Sequence, residues 1–264
     1  MAATGEATSA AVKVTRHAQP GTFGTVTRMS LAGFPPQHGT YEPGGAVRKA
    51  SKEVTFKHIG KTRRIYVSGR PGTTPAPAVF LLHGAGRTGL SMIDMWQDMA
   101  RKKGVILIAP DAISGSWTSK DMDAGFVEKA IKAAERIRPI DRERIFLFGH
   151  YAGAVHAAKL LNADQAIWRA GALHGGFPGK FAPVARPDAP PFRIYLGTED
   201  HIFSIEDAKR TGQRFSKAGH DTELHAIPGH NHWFYVIGPA LAADTWAWFR
   251  SQPGPAAKFQ RVSN

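Results

Sequence analysis

Residues 145–154 read Ile-Phe-Leu-Phe-Gly-His-Tyr-Ala-Gly-Ala, an apolar run that passes through a Gly-x-Tyr-x-Gly turn into helix-forming residues. A short apolar run bounded by glycine reads as a buried strand. Gly149 and Gly153 let strand and helix approach closely, and the residue between them is held in a sparsely populated backbone conformation. The spacing matches the elbow that displays a nucleophile, ordinarily serine, at the end of a central strand. Here the apex is Tyr151.

Outward from the elbow, short apolar runs alternate with helical segments. Strands are expected at 78–82, 105–109, 144–148, 170–173, 192–196 and 223–227, and helices at 90–103, 125–137, 155–161, 205–218 and 239–250. Segments 54–58 and 64–68 alternate around Gly60 as a β-hairpin. Such alternation predicts an α/β fold with a mostly parallel central sheet, helices on both faces and an antiparallel N-terminal hairpin. Residues 1–50 are rich in Gly, Ala, Thr and Pro without a helical or strand period, and are expected to form a basic, extended or partly disordered arm. The folded domain is expected over 51–252, followed by a tail at 253–264.

The absence of cysteine excludes disulfides, thiolate-bound zinc and a thiol nucleophile. No apolar run approaches the roughly 20 residues that span a bilayer. Residues 1–11 carry no apolar leader core, so the expectation is a soluble protein, cytoplasmic by default and exported if a leader has been trimmed. The net charge is +13, and the first 70 residues hold 11 basic against 3 acidic side chains. A solvated basic surface accounts for this, because no compact Lys/Arg block interleaved with aromatics marks a nucleic-acid module. No metal or cofactor is expected.

Ligands bind at the carboxyl ends of strands in such sheets, and four strand ends carry chemistry. The first is the elbow. The second is His83-Gly-Ala-Gly-Arg-Thr-Gly89, whose backbone N–H groups, from Ala85 or Gly86, would face a developing oxyanion together with that of Ala152. The same glycines match a dinucleotide-binding fingerprint, the weaker reading, with Asp111 as its one acidic candidate. The third is Gly197-Thr-Glu-Asp200, where Asp200 could orient a histidine. The fourth is Pro228-Gly-His-Asn-His-Trp233, which offers His230 and His232 as bases.

Leu82-His-Gly84, Ala109-Pro-Asp111, Gly115-Ser-Trp117, Asp123-Ala-Gly-Phe126, Asp141-Arg-Glu-Arg-Ile145, the elbow, residues 197–200 and His232-Trp-Phe-Tyr235 together resemble the α/β-hydrolase superfamily. Within it the sequence resembles the polyhydroxybutyrate depolymerase, feruloyl esterase and dienelactone hydrolase-like group, over about residues 53–250. The resemblance implies hydrolysis of a small-molecule ester or a polyester-type substrate, with Asp200 as the acid and His232, ahead of His230, as the base. His83, Trp117, His150, His230 and Trp233 are expected along the substrate cleft. The departure is at Tyr151, where the family has serine.

A phenolic oxygen lies roughly 4 Å beyond the position of a serine hydroxyl, too far for the contacts of about 3 Å that attack requires. Its ordinary pKa near 10 leaves about one phenol in a thousand ionised at pH 7. Four readings stand: a serine esterase carrying a Ser→Tyr change, a pseudoenzyme that binds a ligand or partner in the former cleft, hydrolysis with Tyr151 as nucleophile, and non-hydrolytic chemistry with Tyr151 and His232 as an acid/base pair.

Overall fold

The computed structural model describes residues 20–33, 39–69, 71–118, 123–163 and 167–253. The first 19 residues and the tail from 254 onward, both assigned above to arm and tail, lie outside the described residues. Strand β1 (Phe23–Thr27), a 3-10 turn (Met29–Leu31) and helix α1 (Gly45–Ala50) precede the hairpin of β2 (Lys52–His58) and β3 (Lys61–Ser68). Then follow β4 (Ala76–Leu82), α2 (Gly89–Lys103), β5 (Ile106–Pro110), α3 (Ala124–Glu135), β6 (Ile140–His150) and α4 (Ala152–Leu161). The described residues end with β7 (Ala170–His174), β8 (Phe192–Gly197), α5 (Ile205–Lys217), β9 (Thr222–Ile227) and α6 (Phe234–Ser251).

These strands form one sheet in the order β1-β9-β8-β7-β6-β4-β5-β3-β2. β2 and β3 run antiparallel, as does the β3–β5 pair, and the other pairings are parallel. This is the α/β-hydrolase fold. Positive φ at Ile59 and Gly60 (46° and 69°) gives the hairpin turn a twist that suits its strands. Because both faces of the central strands are covered, they are apolar at every position rather than at alternate ones. In β4, Ala78, Phe80 and Leu82 face the core under α3, α4 and α5, while Val79 and Leu81 face the core under α2 and α6.

Part of the arm is ordered as an edge strand. Its five residues Phe23–Thr27 pair in parallel with β9, at the edge away from the hairpin. The segment is too short and too polar to show a strand period, and it is recruited by what it docks against. Phe23 lies where a side chain on Gly212 of α5 would stand, 2.4 Å from its would-be Cβ. The Oγ of Ser216 donates to the Gly21 carbonyl at 2.6 Å, and Arg28 pairs with Asp244 of α6. A Cβ on Gly21 would lie 2.2 Å from the His220 carbonyl oxygen. Gly21→Ala is therefore expected to undock β1 while the rest of the sheet holds. In hydrogen exchange, the β1 amides should lose protection and those of β4 and β6 should keep theirs.

Helix α6 begins at Phe234, ahead of the expected start at Pro239, which sits inside the helix. An interior proline costs about 3 kcal/mol. Close packing of α6 on α2 offsets this: Gly238 lies so near Met95 that an added Cβ would be 2.4 Å from its sulfur. The earlier start places the helix directly after His232 and Trp233.

Candidate active site

β4 is the switch point of the sheet, with β5 on one side and β6 on the other. The helices that follow β4 and β6 lie on opposite faces, which opens a crevice at the strands' carboxyl ends. The loop after β4 and the elbow after β6 meet there. A Cβ on Gly153 would be 2.3 Å from the Leu82 carbonyl oxygen, and one on Gly149 would be 2.4 Å from that of Gly153. Only glycine allows strand and helix this close. Tyr151 adopts φ 52° and ψ −116°, the strained geometry of an elbow apex. Its N–H donates to the His174 carbonyl at 3.0 Å, and its own carbonyl accepts from Val155 at 3.0 Å.

Asp200 and His232 come together as the sequence suggested. Nδ1 of His232 donates to Oδ2 of Asp200 at 2.8 Å, while Oδ1 accepts from the N–H groups of Ile202 and Phe203, each at 2.9 Å. Burial pushes the Asp200 carboxyl up, but the hydrogen bonds from His232 and the Phe203 amide outweigh it and hold it below the usual carboxylate range. Nε2 of His232 is buried and has no partner among the described residues. The His232 and Tyr151 rings meet at a T-shaped angle, with centroids 4.9 Å apart at 86°. No hydrogen bond joins the Tyr151 hydroxyl to His232 among the described residues. Phe203 packs beside both rings, at 6.3 Å from Tyr151 and 6.1 Å from His232, and Phe177 stands 4.9 Å behind Phe203.

The loop after β4 offers fewer free backbone donors than the sequence allowed. The Gly86 N–H is taken by the Gly115 carbonyl at 2.7 Å, so Gly86 is not a free donor. Ala85 remains, with Ala152 at the first position of α4, where an N–H has no partner within the helix. Gly84 brings this loop to the apex, since a Cβ there would lie 3.4 Å from Cβ of Tyr151.

Three residues expected along the cleft have other work. His83 is fully buried: its Nε2 accepts from the Ala112 N–H at 3.0 Å and its Nδ1 donates to the Gly84 carbonyl at 2.7 Å. Trp117 is also buried, packed 4.7 Å from the His83 ring, and its Nε1–H donates to the His83 carbonyl at 2.7 Å. Both side chains brace the loop from behind. His230 does not reach Asp200 and instead contacts Nε2 of His174 at 3.1 Å. Trp233 stands at the start of α6 with the Arg87 guanidinium 5.7 Å over its ring, and Arg87 also covers Tyr235, on which Tyr41 of the arm stacks at 3.9 Å. His150 is buried beside the site, stacked 4.8 Å from Phe234. The sequence reading missed His174, which ends β7 and faces His150 across the pair. A histidine closing an otherwise apolar strand was the available signal.

Burial pushes the imidazoles of His150 and His174 well below their ordinary pKa, and that of His230 to about 4. All three are thus neutral in the folded chain at a pH where the unfolded chain, with imidazoles near 6.5, binds protons. The unfolded state holds more protons below about 6.5, so stability falls as pH drops from there towards the folded values. Denaturant unfolding between pH 7 and pH 5 should show this loss, with a slope of at least two protons taken up on unfolding.

Fold, strained elbow and ordered Asp–His pair define the class as an α/β-hydrolase. The model of the dienelactone hydrolase family matches residues 108–251, more than half of the sequence, and the chain belongs to that family. No curated protein matches the sequence. Among solved structures, a thermostable esterase superposes with a TM-score of 0.63 at 17% identity, covering 77% of this chain and 64% of that one. The chain thus spans less than two thirds of that esterase's length. S-formylglutathione hydrolase from Staphylococcus aureus gives 0.60 at 13% identity, covering 76% and 98% of the two chains. Thermogutta terrifontis esterase 2, in its form phosphorylated by paraoxon, gives 0.60 at 18%, covering 76% and 93%. At these identities the likeness is one of fold.

Proposed function

We propose that the cleft is a carboxylic-ester hydrolase site whose base, orienting acid and oxyanion donors are assembled, and whose turnover is withheld by Tyr151. In this reading His232 is the base, Asp200 fixes its tautomer and stabilises its cation, and the N–H groups of Ala85 and Ala152 receive the oxyanion. The observation that carries it is the buried Nε2 of His232, unpartnered among the described residues, on a ring whose Nδ1 is held by Asp200 and which packs 4.9 Å from the ring of the apex residue. A buried nitrogen without a partner costs stability, and a site that deprotonates an incoming hydroxyl accounts for keeping it. Phe203, partly exposed with the buried Phe177 packed behind it, suits an apolar acyl or aryl group. That fits the small esters, polyhydroxyalkanoate-type polyesters or aromatic esters implied by the resemblance. In the chain as it stands, the Tyr151 ring lies in the space a scissile ester would take, and the cleft binds acyl groups without cleaving them.

The competing reading makes Tyr151 the nucleophile, favoured by its contact with the His232 ring. Hydrolysis of p-nitrophenyl acetate and butyrate by the parent chain, Tyr151→Phe and Tyr151→Ser separates the two. Activity confined to the serine variant supports the withheld site. Activity of the parent that Tyr151→Phe abolishes, with an acyl group trapped on Tyr151 by mass spectrometry, overturns it.

A further inference from the structure

Three buried histidines that the proposed reaction does not use form a line beneath the cleft. Nδ1 of His150 contacts Nδ1 of His174 at 3.0 Å, and Nε2 of His174 contacts Nε2 of His230 at 3.1 Å. Their exposures are 5%, 0% and 2%. His174 spends its two opposite nitrogens on two different neighbours, so the rings do not converge on one point as metal ligands must. Among the described residues no group of this kind is placed to hold a metal. Phe234 packs against His150 and His174, the rings of His232, Tyr235 and Tyr151 lie 5.4, 6.1 and 6.4 Å from that of His150, and the charge of Asp200 also bears on it.

Counting protons limits what such a line can do. Burial keeps each ring neutral, so three rings carry three N–H groups. Each nitrogen–nitrogen contact requires one proton, and His174, with both nitrogens engaged, can supply only one of them. A single proton is left for the two ends, Nε2 of His150 and Nδ1 of His230. If it sits on His150, the hydrogen bonds run from His230 to His174 to His150. If it sits on His230, they run the other way. A shift of one proton across each contact, with gain at one end and release at the other, interconverts the two states without creating charge.

The cleft end is His150. A Cβ on Gly84 would lie 3.1 Å from Cδ2 and 3.5 Å from Nε2 of His150, and 3.4 Å from Cβ of Tyr151. The free edge of the imidazole therefore faces the oxyanion loop at the elbow apex. Its Nε2 makes no hydrogen bond among the described residues. We propose that His230, His174 and His150 form a one-proton wire whose cleft end, Nε2 of His150, contacts the bound acyl group. It acts as a donor or an acceptor according to which end holds the shared proton. An acyl oxygen, which only accepts, favours the state in which His150 Nε2 has taken a proton from cleft water, one proton has crossed each contact and Nδ1 of His230 has released one to solvent. A ligand hydroxyl pointing at the same nitrogen draws the wire the other way.

The ligand's identity rests on the ester-site reading, but the wire does not. Nitrogen-15 spectra of the parent chain, labelled in its histidine rings, test it directly. The expected result is scalar coupling through the hydrogen bond at both contacts, three neutral rings at pH 7, and fractional protonation of His150 Nε2 and His230 Nδ1 that sums to one. Added butyrate, the acyl probe, should raise the first fraction and lower the second equally. Missing couplings, or two ends both protonated or both bare, overturn the wire. Failure of butyrate to move either end at any concentration overturns its contact with the cleft. Neither readout needs turnover, so an inactive Tyr151→Ser variant would sink the ester-site reading alone.

Discussion

Tyr151→Ser is expected to raise kcat/KM for p-nitrophenyl butyrate on the order of 10³-fold or more over the parent chain. Loss of a triad nucleophile costs a comparable serine hydrolase on the order of 10⁶ in kcat, so a gain well short of full restoration is still large. The serine hydroxyl would sit one bond from a Cβ that already lies against the Gly84 loop. Nε2 of His232 would take its proton as the oxygen attacks the ester carbonyl. The N–H groups of Ala85 and Ala152 would hold the resulting oxyanion, and the proton would return to the departing alcohol or phenol. Water would then release the acid by the same route. In that background His232→Ala should remove the gained activity, and Asp200→Asn should lower kcat by about 10⁴, the penalty of a wrongly held tautomer. Tyr151→Ala is the control for merely opening the cleft. A serine variant no faster than the alanine variant would refute the assignment of His232 as base.

Gly153→Ala is expected to destabilise the fold by about 3 kcal/mol or more, the upper end of what overpacking costs. The new methyl would lie 2.3 Å from the Leu82 carbonyl oxygen and 2.7 Å from that of His83, both backbone atoms with no rotamer to yield. Relief requires α4 to move off the sheet, which would also shift the Ala152 N–H and the apex. Chemical denaturation should register the loss, and a midpoint within about 0.5 kcal/mol of the parent would contradict this packing.

The sheet's central strands could be read from sequence because burial on both faces writes them as continuous apolar runs, and the elbow because two close approaches admit only glycine. Asp200 and His232 were legible for a related reason: each follows a buried strand at the end where side chains enter the crevice. Contacts that depend on how loops fold back were not legible. Nothing local says that the Gly115 carbonyl would claim the Gly86 N–H, or that Trp117 would turn inward to the His83 carbonyl. β1 was hidden because its stability comes from partners some 200 residues away, Thr22 bonding Asp221 across a separation of 199. The His150–His174 contact likewise requires the parallel register of β6 and β7, which sequence alone does not fix.

That edge pairing has a consequence for how the chain folds. β1 is the first and β9 the last of the described strands, so the arm cannot take its place until β9 has been synthesised. Contacts of such long range are slow to form, because the loop between them must close before they repay it. The remaining sheet, from β2 to β9, is contiguous without the arm. Docking of residues 20–31 is thus expected as a separate late step in refolding, and Gly21→Ala should abolish that phase while leaving the earlier ones unchanged.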